Sequence, residues 1–100
     1  MTIRQAVREF VNLGPLPDSS VMPELIATHE SYLSRIERPV TDDEAKLLVQ
    51  CFGPDDCFGL AWALLHLVET APGGIPIEKE PANTENEWIR RLWARSHRLP

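Results

Sequence analysis

The side chains able to do covalent chemistry are two thiols, Cys51 and Cys57, and three imidazoles, His29, His66 and His97. A thiol beside a histidine is the smallest nucleophilic pair, because the thiolate attacks and the imidazole takes its proton. Spacing argues against such a pair. Cys57 and His66 lie nine residues apart on one expected helix, which at 1.5 Å per residue separates them by roughly 13 Å. Cys51 is expected level with Cys57 across a turn and equally remote from His66, which leaves His97, close to the end of the sequence, as its partner. A small thiol-dependent hydrolase or redox protein using Cys51 or Cys57 is therefore an alternative reading, behind a non-catalytic one. The histidines and cysteines show no His-x3-His or Cys-x2-Cys spacing, so no metal centre is expected. Pro72-Gly73-Gly74 follows a helical segment, whereas an anion cradle precedes one, so it reads as a helix stop and no cofactor is expected.

Charge and one isolated histidine supply the candidate contacts. Asp42 and Asp43 follow Thr41, and Asp55 and Asp56 follow Gly53-Pro54. Both pairs are expected in first helical turns, where the helix dipole favours a carboxylate by ~0.3–1 kcal/mol. His66 interrupts the apolar run Ala63-Leu64-Leu65-His66-Leu67-Val68, and Gly59, His66 and Thr70 share one helical direction with Trp62 beside them. This reads either as an imidazole hydrogen-bonded inside the fold or as a polar stripe opening into a groove. In the second case Gly59 admits another backbone, offsetting the ~1 kcal/mol that glycine costs inside a helix. Arg91, Arg95 and Arg98 recur at i, i+4 and i+7, a basic stripe opposite Trp88, Ile89, Leu92 and Trp93. Their planar forks suit carboxylate or phosphate, although the dipole also favours arginine at a helix C-terminus. The candidate partner-binding set is therefore Asp42, Asp43, Asp55, Asp56, Gly59, His66, Arg91, Arg95 and Arg98.

Positioning these residues requires about five helices, punctuated by nine prolines. The first follows Thr2, with Gln5 three residues on as a capping box, and buries Ile3, Ala6, Val7, Phe10 and Val11 before Gly14-Pro15. The second has Pro23 in its first turn, lines Met22, Leu25, Ile26, His29, Leu33 and Ile36 along one face, and ends before Pro39. Thr41 with Glu44 caps a short third helix facing inward through Ala45, Leu48, Val49 and Phe52. The fourth, from Asp55 to about Ala71, is apolar nearly all round and belongs in the centre. A surface loop over 72–84 leads to a fifth helix, capped by Thr84 with Glu87 and facing inward through Trp88, Ile89, Leu92 and Trp93. No strand signal competes. Short links make successive helices antiparallel neighbours, in an irregular bundle or a stack of helical hairpins.

One hundred residues, 43% of them apolar, make a single helical domain, and a net charge of −5 argues against general nucleic-acid binding. No apolar run approaches the ~20 residues needed to span a bilayer, and with two cysteines and no signal-peptide core a cytoplasmic protein is expected. Eight carboxylates (Glu24, Asp42, Asp43, Glu44, Asp55, Asp56, Glu85 and Glu87) fall in expected first turns, so the negative charge gathers at helix starts. The segment Phe52-Gly53-Pro54-Asp55-Asp56-Cys57-Phe58-Gly59-Leu60, continuing through Trp62 and His66 to Thr70, resembles a helical hairpin of the short bacterial HEAT-like proteins. Some of these resemble immunity proteins that accompany secreted toxins. The resemblance implies an immunity-like or antitoxin-like inhibitor that masks a partner protein. The expected function is a non-catalytic protein-interaction module, with a homo-oligomeric structural subunit as a further alternative.

Overall fold

The computed structural model describes residues 3–18 and 20–97. Among these residues there are five α-helices and no strand: α1 (Gln5–Asn12), α2 (Pro23–Ser34), α3 (Asp42–Leu48), α4 (Leu60–Val68) and α5 (Glu87–Ser96). The fold is all-α, as the periodicity requires. No described helix is long and apolar enough to cross a membrane. The principal contacts run α1 with α2, α1 with α3, α3 with α4 and α4 with α5. Among these principal contacts α2 is held chiefly by α1, and α5 chiefly by α4.

Local sequence explains most of the elements. Val7 and Phe10 of α1 are buried, with Ile3, Ala6 and Val11 partly buried against the core. The expected Thr2 cap lies outside the described residues, and Arg4 occupies the N-cap without a side-chain capping bond. On α2, His29 and Leu33 are buried, as is Ile36 just beyond the helix. Met22 and Leu25 were expected on the same inward face but are 68% and 44% exposed. A helix packed mainly on one neighbour cannot cover so broad a stripe.

At the start of α3 a polar cluster is closed by hydrogen bonds. Thr41 Oγ1 accepts from the Glu44 N–H (3.1 Å) and Glu44 Oε1 accepts from the Thr41 N–H (2.8 Å), completing the expected capping box. Glu44 is 0% exposed, and its carboxylate also accepts from the Arg4 N–H (2.9 Å), Nε (3.0 Å) and Nη2 (3.0 Å). Arg4 Nη2 donates as well to the carbonyls of Glu37 (2.9 Å) and Pro39 (3.2 Å). This cluster joins α1, α3 and the link between α2 and α3.

After α3 the chain makes a 3-10 turn at Val49–Cys51 and a corner at Gly53-Pro54. The Leu16 N–H donates to the Cys51 carbonyl (2.8 Å), and a Cβ on Gly53 would collide with the Leu16 carbonyl. From the other side Asn86 Nδ2 donates to the Gly53 carbonyl (2.9 Å) and Trp88 Nε1 to that of Asp55 (3.1 Å). Asn86, not Thr84, caps α5, accepting from the Trp88 N–H (2.7 Å). Its amide thereby serves both helix and corner. Glu24, Asp42, Asp43, Glu44 and Glu87 do stand in first turns. Glu85 precedes the cap of α5, and Asp55 and Asp56 precede a turn that is not α-helical. The loop over 72–84 is mostly exposed, with Ile75 and Ile77 partly buried against the core.

Candidate functional site

The fourth helix starts five residues later than its sequence suggests. Cys57 (φ 47°), Phe58 (φ 54°) and Gly59 (φ 92°) form three consecutive left-handed residues, so a right-handed helix cannot begin before Leu60. Asp55 Oδ1 accepts from the Cys57 N–H (2.9 Å), and the Asp56 carbonyl accepts from the N–H groups of Gly59 (2.9 Å) and Ala61 (3.1 Å). The Asp55 carboxylate and the Asp56 backbone carbonyl therefore organise a turn instead of a first helical turn. Gly59 is the N-cap of α4 and not an interior residue, and nothing lies within 4 Å of where its Cβ would be. Its conformation, not close packing, explains the glycine.

The consequence is the placement of Phe58, which is 73% exposed. Beyond it, Leu60, Ala61, Leu64, Leu65, Leu67 and Val68 are buried, whereas Trp62 (36% exposed), Ala63 and His66 face outward. Positions 59, 62, 63 and 66 form one helical stripe. The expected polar stripe is thus mainly apolar, with His66 at its end. Thr70 is not part of it: its hydroxyl donates to the Leu67 carbonyl (2.6 Å) and accepts from the Val40 N–H (3.0 Å).

Two depressions adjoin this stripe in a groove between α2 and α4. One, of about 320 Å³, is lined by Leu33, Ile36, Arg38, Ala63 and Leu67 among others. The other, of about 290 Å³, is lined by Val21, Pro23, Ile26 and Phe58. Glu30 and Leu60 line both. A groove of this kind needs the relative placement of two helices whose starts, Pro23 and Leu60, lie 37 residues apart in sequence, so periodicity alone could not reveal it.

On the other side of α4, the rings of Trp62 and Trp88 meet edge to face with centroids 5.1 Å apart, and His66 lies 6.1 Å from Trp62. The Arg91 guanidinium stands 5.3 Å from the Trp62 centroid and 4.9 Å from that of Trp88, and its Nη2 pairs with Glu87 (2.6 Å). Arg95 pairs with Glu69 across to the end of α4 (2.7 Å). Two of the three expected stripe arginines therefore already have carboxylate partners, and Arg98 lies outside the described residues. Asp42 is likewise engaged, accepting from the Gly73 N–H (2.8 Å), while Asp43 is half-buried in the first turn of α3. Asp42 and Asp43 stand at the start of α3, and Asp55 and Asp56 beyond its other end.

The thiols are poorly placed for chemistry. Both are buried. Burial pushes Cys51 up to about 11, and it raises Cys57 too, helped by the negative charges of Asp55, Asp56 and Asp18. The thiolate is the reactive form, so both environments oppose reactivity. Among the described residues no three His, Cys, Asp or Glu side chains converge on a possible metal position. His29 is buried edge-on to Phe10 (6.3 Å), its Nδ1 has no hydrogen-bond partner among the described residues, and burial lowers its pKa. The Arg4–Glu44 pair had half a signal in sequence: the capping box marked Glu44, but nothing marked Arg4 as its partner. No family model, curated protein or solved structure matches this chain.

Proposed function

We propose that the chain is a non-catalytic protein-interaction module whose contact surface is formed by Phe58, in the turn before α4, and by Trp62, Ala63 and His66 on the outward face of that helix. The observation that carries this reading is Phe58 itself. A bulky residue held at φ 54° costs roughly 1–2 kcal/mol, and its ring gains little from burial at 73% exposure. An unfavourable backbone that presents an apolar ring to solvent is accounted for when a partner covers the ring. The immunity-like reading is the form of this function in which the partner is an enzyme or toxin in the cytoplasm and covering it blocks its active surface. The buried thiols, with their raised pKa values, give the thiol-dependent alternative no support.

The test compares affinity capture on wild-type and Phe58→Gly baits from the native cell. Glycine accepts the left-handed conformation, so the variant keeps the turn and loses only the ring. A protein retained by the wild type and lost from the variant is the expected result. Identical captures on both baits would remove the basis of the proposal.

A further inference from the structure

We infer that the α2–α4 groove receives an amphipathic helix of a separate protein, one whose apolar face is interrupted at its middle by a Lys or Arg that pairs with Glu30. The inference rests on the interaction reading above and names the kind of partner. It follows from how polar groups are distributed along the groove. The lining is mainly apolar, with Leu33, Ile36 and Leu67 in one depression, Ile26 and Phe58 in the other and Leu60 shared by both, while Ser34 and Arg38 add polar groups to the first. Glu30 lines both depressions, and its carboxylate makes no hydrogen bond or ion pair with any described residue. Arg38, which makes no ion pair among the described residues, lines the depression formed with Leu33 and Ile36.

A partner covering this groove must fill two apolar depressions and neutralise the carboxylate between them. A covered carboxylate left unpaired opposes binding, whereas a cation placed against it contributes specificity. The charge order is basic at the middle and acidic toward Arg38. The walls also select the partner's conformation. They are helices whose backbone groups are engaged within the helices themselves, so an extended segment laid between them would bury unpaired N–H and C=O groups. A helix satisfies its own backbone and offers anchors at i, i+3 or i+4, and i+7. Ala63, the small residue on the α4 side of the groove, leaves room for it.

The experiment is panning of phage-displayed helical peptides, with one face randomised, against the full chain and against Glu30→Lys and Ala63→Arg. Both substitutions are at exposed positions, and thermal melts establish that the variants are folded. The wild type is expected to enrich peptides with Lys or Arg between two large apolar residues. Glu30→Lys should weaken those peptides by roughly tenfold, a difference of about 1.4 kcal/mol, and enrich Asp or Glu at the same place. Ala63→Arg should abolish the selection. Peptides that ignore the charge at residue 30, peptides that bind Ala63→Arg undiminished, or no enrichment would each overturn the inference. So would concentration-dependent self-association of the wild type that Ala63→Arg abolishes, because a second copy would then occupy the groove. A Phe58-dependent partner that survives Glu30→Lys would leave the interaction reading standing and sink only this refinement.

Discussion

The Arg4–Glu44 cluster and the turn over Cys57–Gly59 treat buried and exposed groups in opposite ways. At the first, a fully buried carboxylate is matched by Arg4 and two backbone N–H groups, and three elements are tied together. At the second, the backbone is left-handed at two non-glycine residues, a phenylalanine ring stands in solvent and a nearby groove carries Glu30, whose carboxylate has no partner among the described residues. A group that cannot reach water must be satisfied from within for the fold to persist. A group facing water need not be, and such groups are where a partner can still gain free energy. The contrast thus separates the part of the molecule that holds it together from the part available for binding.

Breaking the satisfied region should have the largest effect. Arg4→Met leaves Glu44 buried without its cation and is expected to cost about 3–5 kcal/mol, read from the denaturant midpoint. A loss below 1 kcal/mol would show that the cluster is incidental. Acid should reach the same pair. Burial alone would raise the Glu44 pKa, but the hydrogen bonds from Arg4 and Thr41 hold it down at about 2, against 4.5 in an unfolded chain. The unfolded chain therefore binds the proton first. The stabilisation is complete above 4.5 and is lost as pH falls from there toward 2, amounting to about 2–3 kcal/mol after allowing for the partial exposure of Arg4.

His29 acts in a higher window with the same sign. Its folded pKa lies below 6.5, so the unfolded chain takes up the proton first and stability begins to fall as pH drops below 6.5. Urea midpoints across pH should show two limbs. His29→Leu should remove the upper one and leave the lower. Gly53→Ala comes next, at about 1–3 kcal/mol, because the new methyl meets backbone that cannot yield.

How much of this was legible in the sequence varied by element. The inward stripes of α1 and α3 were, because their apolar periodicity was unbroken and Thr41–Glu44 fitted only one register. For the α5 cap the sequence points to Thr84, because Thr84 and Glu87 satisfy the capping-box spacing, and only Asn86's second bond, to the Gly53 carbonyl, decides between the candidates. For α4 the sequence points to too early a start for a different reason: Asp55-Asp56 after a proline looks like a helix N-terminus, and neither Cys57 nor Phe58 announces a left-handed backbone. Met22 and Leu25 show that periodicity marks a face without saying how much of it a neighbour covers. Of the candidate site, Gly59 and His66 do lie along one exposed edge, but the groove and its Glu30 depend on how α2 and α4 are placed, which no local pattern encodes.

The smallest expected change in stability is also the most direct test of the account. Phe58→Gly relieves a left-handed residue at the price of a more flexible unfolded chain, so the folded state should gain about 0.5–1 kcal/mol. The measurement is the unfolding free energy of that variant by urea titration, with partner capture on the same preparation. Higher stability together with lost capture is the expected result. A less stable variant that still captures the same partner would contradict it, because Phe58 would then serve the fold and not the interaction.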